Sequence, residues 1–203
     1  MSVRVLLVLL VVGTLVAAAA IVLNRPGSGT LDLEHGIALD EPRPLPEFEL
    51  LDQRARPFTR AELDGRWTLL FAGFTHCPDI CPTTLATLAE LEARLQEAGR
   101  DLRVVFLSLD PDRDDPATLA EYVGHFSPRF VGATGETAEI DRLVAALGLA
   151  YIVVPYGEDS YTVDHSAALV LIDPRARTAG YFKPPLRAEA LAADLAPVVG
   201  PRP

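Results

Sequence analysis

The sequence predicts an α/β domain in which a central sheet is covered by helices on both faces. Short apolar runs bounded by turn or polar residues are typical of buried strands. These runs alternate along the chain with stripes of apolar residues at helical spacing, and that alternation favours a sheet with helices on both sides. With 203 residues, 49% of them hydrophobic and 23% charged, the chain can form one such domain and an appendage.

The appendage is an apolar N-terminal segment. Residues Val5 to Leu23 include no charged side chain, and as a helix they would span roughly 28 Å, close to the hydrocarbon thickness of a bilayer. A signal peptide needs an apolar region of only about 7–15 residues, although small residues suited to cleavage occur at Ala17–Ala20. We therefore predict a transmembrane anchor over residues 1–25, with a cleaved signal segment as the alternative. In both cases the domain is exported, facing the periplasm or cell exterior at the bacterial cytoplasmic membrane.

A linker is predicted between this segment and the domain. Residues 26–47 are rich in glycine, proline and acidic residues and lack a sustained apolar period, which is typical of a connecting segment. The α/β domain is then expected over residues 48–203.

Three buried strands are predicted inside the domain, at Trp67–Phe74, Leu102–Leu109 and Ala167–Ile172. A short edge strand is expected at Tyr181–Phe182, because the following prolines stop it. The segment Val153–Val163 has no clear period and is expected to form a loop or a hairpin. Apolar stripes predict four helices, which cover Leu85–Leu95, Leu119–Phe126, Ile140–Leu147 and Leu186–Leu195.

The charge balance limits the classes of partner. The chain has 18 basic and 28 acidic residues and a formal net charge of −10, so nucleic acid and anionic lipid surfaces are poor partners. An acidic surface suits a basic protein partner, and it equally serves solubility.

The only two cysteines lie in one short motif between the strongest predicted strand and the strongest predicted helix. A disulfide between such close positions would constrain the unfolded chain little, which indicates that the pair has a chemical role. The end of a strand is a favoured site location in an α/β sheet, and the helix N-terminus favours a thiolate. The motif reads Phe74-Thr75-His76-Cys77-Pro78-Asp79-Ile80-Cys81-Pro82.

The spacing of the cysteines allows both sulfurs to face one ion. Two thiolates suit Cu(I), and an added imidazole gives a set that also holds Cu(II); no second pair at zinc spacing is present. The simplest interpretation of His35 and His125 is that they are surface residues, and His76 adjoins Cys77, so that the two side chains point apart. His165, just before a predicted strand, stays a candidate ligand, although a lone histidine is more often structural.

Three stretches together resemble the Sco/SenC family, whose members are copper proteins that help to assemble the copper centre of cytochrome c oxidase. The resemblance covers Phe48 to Leu195. It implies a thioredoxin-like fold, an N-terminal membrane anchor and copper bound by Cys77, Cys81 and His165. It also implies a partner such as the copper-binding subunit of the oxidase or another envelope copper or thiol protein. The stretches are Phe74–Pro82, Ser108-Leu109-Asp110-Pro111-Asp112-Arg113-Asp114 and Asp164-His165-Ser166.

Two acidic residues are candidates for a supporting role around the metal. Asp110 ends a predicted strand and could tune the thiolates or touch a client, or it could simply form the turn before Pro111. Asp164 could orient the His165 imidazole, as ligating histidines usually require, or it could be a solvated acid at a strand end.

These residues favour a copper metallochaperone, which binds and transfers an ion rather than catalysing a reaction. The alternative is a thiol–disulfide oxidoreductase that uses Cys77 and Cys81 as a redox-active pair. A redox or copper sensor is a third possibility, and nothing else in the sequence marks the pocket of a peroxidase. His165 discriminates between the first two hypotheses, because a redox enzyme does not need a third metal ligand.

Overall fold

The computed structural model describes residues 31–157 and 160–201. Within them, four helices surround an eight-stranded sheet, and a two-stranded sheet lies beside it. The helices are α1 (Ile80–Glu97), α2 (Pro116–Phe126), α3 (Thr137–Ala146) and α4 (Ala188–Leu195), and a short 3₁₀ helix covers Arg60–Leu63. The strands are β1 (Ile37–Pro44), β2 (Glu49–Asp52), β3 (Pro57–Thr59), β4 (Thr68–Gly73), β5 (Arg103–Ser108), β6 (Val131–Thr134), β7 (Tyr151–Tyr156), β8 (Ser160–His165), β9 (Leu169–Ile172) and β10 (Arg177–Phe182).

The large sheet has the order β1-β10-β9-β4-β5-β6-β2-β3. Its centre is parallel, with β4 beside β5 and β5 beside β6, while β9 runs antiparallel to β4. The last residues of the two central strands, Gly73 and Ser108, are register partners. The segments that follow β4 and β5 therefore leave the sheet at the same edge.

Both faces of the sheet are apolar and covered, as the continuous apolar runs predict. Leu69 and Phe71 of β4 pack with the buried residues of α1, α2 and α4, whereas Leu70 and Ala72 pack with those of α3 on the other face. The alternation follows from the two-residue period of a strand. Each fully buried leucine or phenylalanine contributes on the order of 1.5–3 kcal/mol relative to its exposed state.

The main predicted elements are confirmed. The three buried strands correspond to β4, β5 and β9, each slightly shorter than predicted, and the four apolar stripes correspond to α1–α4. The segment Val153–Val163 is a hairpin, in which β7 pairs with β8 from Tyr151 opposite His165 to Tyr156 opposite Ser160.

Two predictions about the region around the sheet edge are corrected. Within the predicted linker, Ile37–Pro44 forms β1, which pairs with β10. The predicted edge strand Tyr181–Phe182 is the end of a longer, interior strand that lies between β1 and β9. Gly180 permits this arrangement, because a Cβ there would lie 2.7 Å from the Ile37 carbonyl oxygen.

The predicted transmembrane segment lies outside the described residues. Among the helices that the structure describes, none has the length and apolar character needed to cross a bilayer.

Candidate metal centre

The cysteine motif forms a tight turn that joins β4 to α1. The backbone N–H of Cys77 donates to the Phe74 carbonyl over 3.2 Å. The N–H of Cys81, in the first turn of α1, donates to the Cys77 sulfur over 3.4 Å. This turn places both sulfurs at the N-terminus of α1, and both thiols are free.

His165 reaches the same place from the hairpin, where it is the last residue of β8. Its ring packs edge-on against Phe71 and Phe74, with centroid separations of 5.9 and 6.2 Å. The His165 Nε2 atom lies 3.5 Å from the Cys81 sulfur. The three potential ligand atoms, one each from Cys77, Cys81 and His165, lie within 4.8 Å of one another. Within residues 31–157 and 160–201, no other group of three or more His, Cys, Asp or Glu side chains is arranged to hold a metal ion.

A backbone carbonyl fixes the tautomer of His165. The Nδ1 atom lies 3.1 Å from the Ser166 carbonyl oxygen. Because a carbonyl can only accept, Nδ1 must carry the proton, and Nε2 is left with a lone pair that faces the sulfurs. Metal-ligating histidines are usually held by such a second hydrogen bond.

Burial keeps the inner part of this cluster neutral. Cys81 is fully buried, and burial raises the pKa of its thiol far above the ordinary value, although a backbone hydrogen bond from Phe74 opposes the shift. Burial likewise lowers the pKa of His165. Desolvation therefore opposes, at Cys81, the predicted preference of the helix N-terminus for a thiolate. A metal that binds here must displace the Cys81 proton.

Neither predicted acidic neighbour contacts a ligand side chain by hydrogen bonding. Asp164 is exposed, and the partner that orients the His165 ring is the Ser166 carbonyl instead. Adjacent strand residues point to opposite faces, so the Asp164 carboxylate does not hydrogen-bond to the ring, although its charge opposes the lowering of the His165 pKa.

Asp110 instead attaches the hairpin to the loop after β5. Its carboxylate accepts hydrogen bonds from the Tyr161 hydroxyl over 2.7 Å and from the Arg113 Nε over 2.5 Å. The Arg113 guanidinium carbon lies 3.7 Å from the centre of the Tyr161 ring and also stacks, at 5.9 Å, over Phe74. This cluster holds β8, and hence His165, against the segment that carries the cysteines.

A buried carboxylate that sequence reasoning gave no role, Asp114, braces the cysteine motif. It is fully buried, and it accepts hydrogen bonds from the Thr75 N–H (3.0 Å), the Thr75 hydroxyl (2.6 Å) and the Ser108 hydroxyl (2.7 Å). The Asp-Pro-x-x-Asp spacing was visible in the sequence, but its contact with Thr75 was not.

The other histidines lie away from the sulfurs. His76 is exposed, with its Nδ1 3.1 Å from the Thr75 hydroxyl, and His125 is exposed on α2. His35 is exposed, as predicted, and its N–H and Nδ1 both contact the Asp194 carboxylate of α4.

The donor set fits a soft, three-coordinate ion. Metal–ligand bonds of about 2.0–2.3 Å in a trigonal plane place the donor atoms roughly 3.5–4 Å apart, so the present separations need only a small contraction. Two sulfurs and one imidazole are the ligands that copper prefers. In the described residues no fourth cysteine, histidine or carboxylate completes the tetrahedral site that structural zinc requires.

Gly73 leaves the space that the Cys81 sulfur occupies. A Cβ at this position would lie 2.7 Å from that sulfur and 3.0 Å from the Phe106 ring. We expect Gly73→Ala to lower the free energy of unfolding by about 1–3 kcal/mol through overpacking and to weaken copper binding by displacing Cys81. Urea unfolding and competition with a copper chelator would measure both on a fragment that begins at Leu31, since residues 31–203 form a compact unit.

Gly124→Ala is the matched control, because Gly124 lies in α2 with open space around it. It should leave copper affinity unchanged and stabilise the fragment by about 0.5–1 kcal/mol. Equal copper affinities in the two variants would show that Gly73 does not position Cys81.

Comparison with known proteins agrees with this geometry. The SCO1/SenC family profile matches residues 39–200. A Stutzerimonas stutzeri protein named as a candidate for copper binding is 39% identical over 162 residues, which are 79% of each chain. Mouse mitochondrial SCO2 homolog is 41% identical over 140 residues, which are 67% of this chain and 54% of that one. The chain thus spans about half of the mitochondrial relative.

Solved structures show the same fold. Copper-bound ScoI of Bradyrhizobium japonicum superposes with a TM-score of 0.69 at 36% identity, covering 75% of this chain and 97% of that one. Copper-bound ScoI of Arabidopsis thaliana gives 0.72 at 32% identity, covering 75% and 96%. The thioredoxin-like α/β arrangement that the sequence resemblance implied is therefore confirmed. By its sequence, its fold and the convergence of its two cysteines with one distant histidine, the chain belongs to the SCO1/SenC family.

Proposed function

We propose that this protein is a copper metallochaperone, which holds one copper ion through Cys77, Cys81 and His165 and delivers it to a client protein. The observation that carries the proposal is the convergence of two sulfurs and one oriented imidazole nitrogen within 4.8 Å at the edge of the sheet. This set binds copper in either common oxidation state, and it leaves a coordination position for an incoming ligand.

The unequal burial of the three ligands suits transfer by stepwise exchange. Cys77 and His165 are half-buried, whereas Cys81 is fully buried. A client ligand can therefore approach the ion beside Cys77 or His165 and replace them first. The Cys81 sulfur then leaves last and takes up a proton, as its raised pKa favours.

The hairpin that carries His165 offers a surface for the client. Five of the six residues of β7 are exposed, and they include Ile152 at 63% and Tyr156 at 59% exposure. Ile80, inside the cysteine motif, is 50% exposed. Exposed apolar side chains grouped beside a site are typical of a protein-binding surface.

The family resemblance supports a client such as the copper centre of cytochrome c oxidase, and it supports an envelope location with a membrane tether over residues 1–25. The acidic net charge of −10 would favour a client with a basic docking face.

A thiol–disulfide oxidoreductase is the second candidate, and the same geometry favours it in one respect. The half-buried position of Cys77 and the buried position of Cys81 suit an attacking and a resolving thiol. The Cys77 thiolate would attack a client disulfide and form a mixed disulfide. Cys81 would then release the client dithiol, leaving a Cys77–Cys81 disulfide that an external thiol must reduce.

A transfer experiment distinguishes the two functions. Protein loaded with one copper would be mixed with the metal-free, fully reduced copper domain of an oxidase, and copper would be assayed in each after separation. We expect copper transfer from the wild type and from His125→Ala, which is the control at an exposed histidine. We expect little copper transfer from His165→Ala. If no copper moves, while metal-free wild type and His165→Ala equally reduce an oxidised client, the oxidoreductase is the correct function.

A further inference from the structure

An open cavity of about 500 Å³ lies at the end of the sheet opposite the cysteines. Arg103 is the first residue of β5, and Val131 is the first of β6, so the cavity adjoins the start of the parallel strands. Its charged lining consists of five arginines and two aspartates: Arg54, Arg56, Arg66, Arg103, Arg129, Asp52 and Asp101.

The two aspartates do not neutralise this lining. Asp52 pairs with Arg56, and Asp101 is shared between Arg129 and Arg66. Arg129 also pairs with Glu92, which does not line the cavity. Arg54 and Arg103 form no ion pair in the part of the chain that the structure describes. The cavity therefore carries excess positive charge, although the chain as a whole has a net charge of −10.

Two of the guanidinium groups also have unused hydrogen-bonding capacity. The Nη1 atoms of Arg103 and Arg129 are buried and have no hydrogen-bond partner within 31–157 and 160–201. Burial, followed by repulsion from Arg66, lowers the pKa of Arg103, although attraction to Glu62 and Asp101 opposes the shift. Buried charged donors without partners are costly, and an anion in the cavity would relieve both the desolvation and the repulsion.

We propose that this arginine-lined cavity binds a phosphate ester. The planar guanidinium fork matches phosphate oxygens in pairs. A phosphate monoester, with a charge of about −1.5 to −2, offsets the two unpaired arginines better than a single carboxylate does. The volume exceeds that of an inorganic phosphate ion, which leaves room for an organic group. The ester is either a free metabolite or the headgroup of a lipid such as phosphatidic acid, since both can present a phosphate monoester.

The cavity is separate from the metal centre. The six residues of β5 run from Arg103 at the cavity to Ser108 near the metal centre, a distance of roughly 17 Å at the rise of a β-strand. Copper stoichiometry therefore serves as an independent check that variants of the cavity are correctly folded.

Calorimetric titration of the full chain with inorganic pyrophosphate, as a soluble probe, tests the proposal. We expect one saturable site, weakened roughly tenfold by Arg103→Gln, since a charge-assisted bond contributes about that factor. Arg66→Gln should weaken it in the same direction and provides a second variant if Arg103→Gln does not fold. Arg175→Gln, at an exposed arginine outside the cavity, should have no effect.

Absence of saturable binding to the wild type would overturn the proposal, as would equal affinities of Arg103→Gln, Arg66→Gln and Arg175→Gln. The source of the ester is distinguished by reconstituting the full chain in phosphatidylcholine bilayers with and without phosphatidic acid, whose headgroup is a phosphate monoester. Weaker pyrophosphate binding in the anionic bilayer, for the wild type but not for Arg103→Gln, would identify a headgroup as the ligand. Unchanged binding would identify a free phosphate ester.

Discussion

Cys81→Ser is expected to abolish tight copper binding, with a loss of affinity of at least about 100-fold. Loss of a residue that only supports a metal ligand costs up to about 100-fold, and loss of the ligand itself costs at least as much. The serine hydroxyl is a hard donor that is not deprotonated near neutral pH, whereas copper prefers soft thiolates. Cys81 is also fully buried, so no water can readily take the place of its sulfur. Metal analysis after anaerobic loading of the reduced protein measures the effect directly.

Cys77→Ser serves as the matched variant, because it removes the other sulfur from a half-buried position. It should lose copper as Cys81→Ser does, but with a smaller loss of folding stability, since its hydroxyl can remain hydrated. His165→Ala should retain both sulfurs and bind copper more weakly, with an altered Cu(II) spectrum. Full copper occupancy in Cys81→Ser, or an unchanged affinity and spectrum in His165→Ala, would contradict the three-ligand site.

The sequence predicts the centre of the fold better than its margins, for a physical reason. β4 and β5 are buried on both faces, so their residues form continuous apolar runs that are easily recognised. β10 contains Thr178, Ala179 and Gly180, small residues that let β1 approach closely but give no apolar signal. The pairing partner of β1 is therefore decided by a contact between segments distant in sequence.

The candidate site likewise has a part that the sequence predicts and a part that it does not. The cysteine turn is local, and its position between a strand and a helix is evident from the sequence. His165 is separated from Cys81 by 84 positions, so that residue patterns alone left its role open and only the family resemblance indicated it. Of the two interpretations of Asp164, the exposed position of the residue favours the solvated acid, and the Ser166 carbonyl accepts the hydrogen bond from the ring. The arginine-lined cavity joins residues from four separate loops and strand ends, and no local pattern predicts such a cluster.

The largest effect expected outside the ligands is at Asp114. Asp114→Ala should lower the free energy of unfolding by about 2–4 kcal/mol, because it leaves the Thr75 N–H, the Thr75 hydroxyl and the Ser108 hydroxyl without their acceptor. Thr75 lies two residues before Cys77 in the cysteine turn, so releasing it should also weaken copper binding. Urea unfolding and chelator competition on the fragment that begins at Leu31 measure the two effects separately.

Two further variants separate bracing of the turn from a general loss of stability. Ser108→Ala removes the hydrogen bond to the Asp114 carboxylate and the acceptor of the Asp110 N–H, but it keeps both bonds to Thr75. It should destabilise the domain by about 1–3 kcal/mol with copper affinity retained. Asp114→Asn keeps the shape of the side chain and one acceptor oxygen. Its losses of folding stability and copper affinity should therefore lie between those of Asp114→Ala and Ser108→Ala. If Asp114→Ala and Ser108→Ala alter copper affinity equally, the carboxylate stabilises the sheet edge only. If copper affinity falls only when the bonds to Thr75 are lost, Asp114 holds the cysteine turn in the geometry that lets its two sulfurs meet His165.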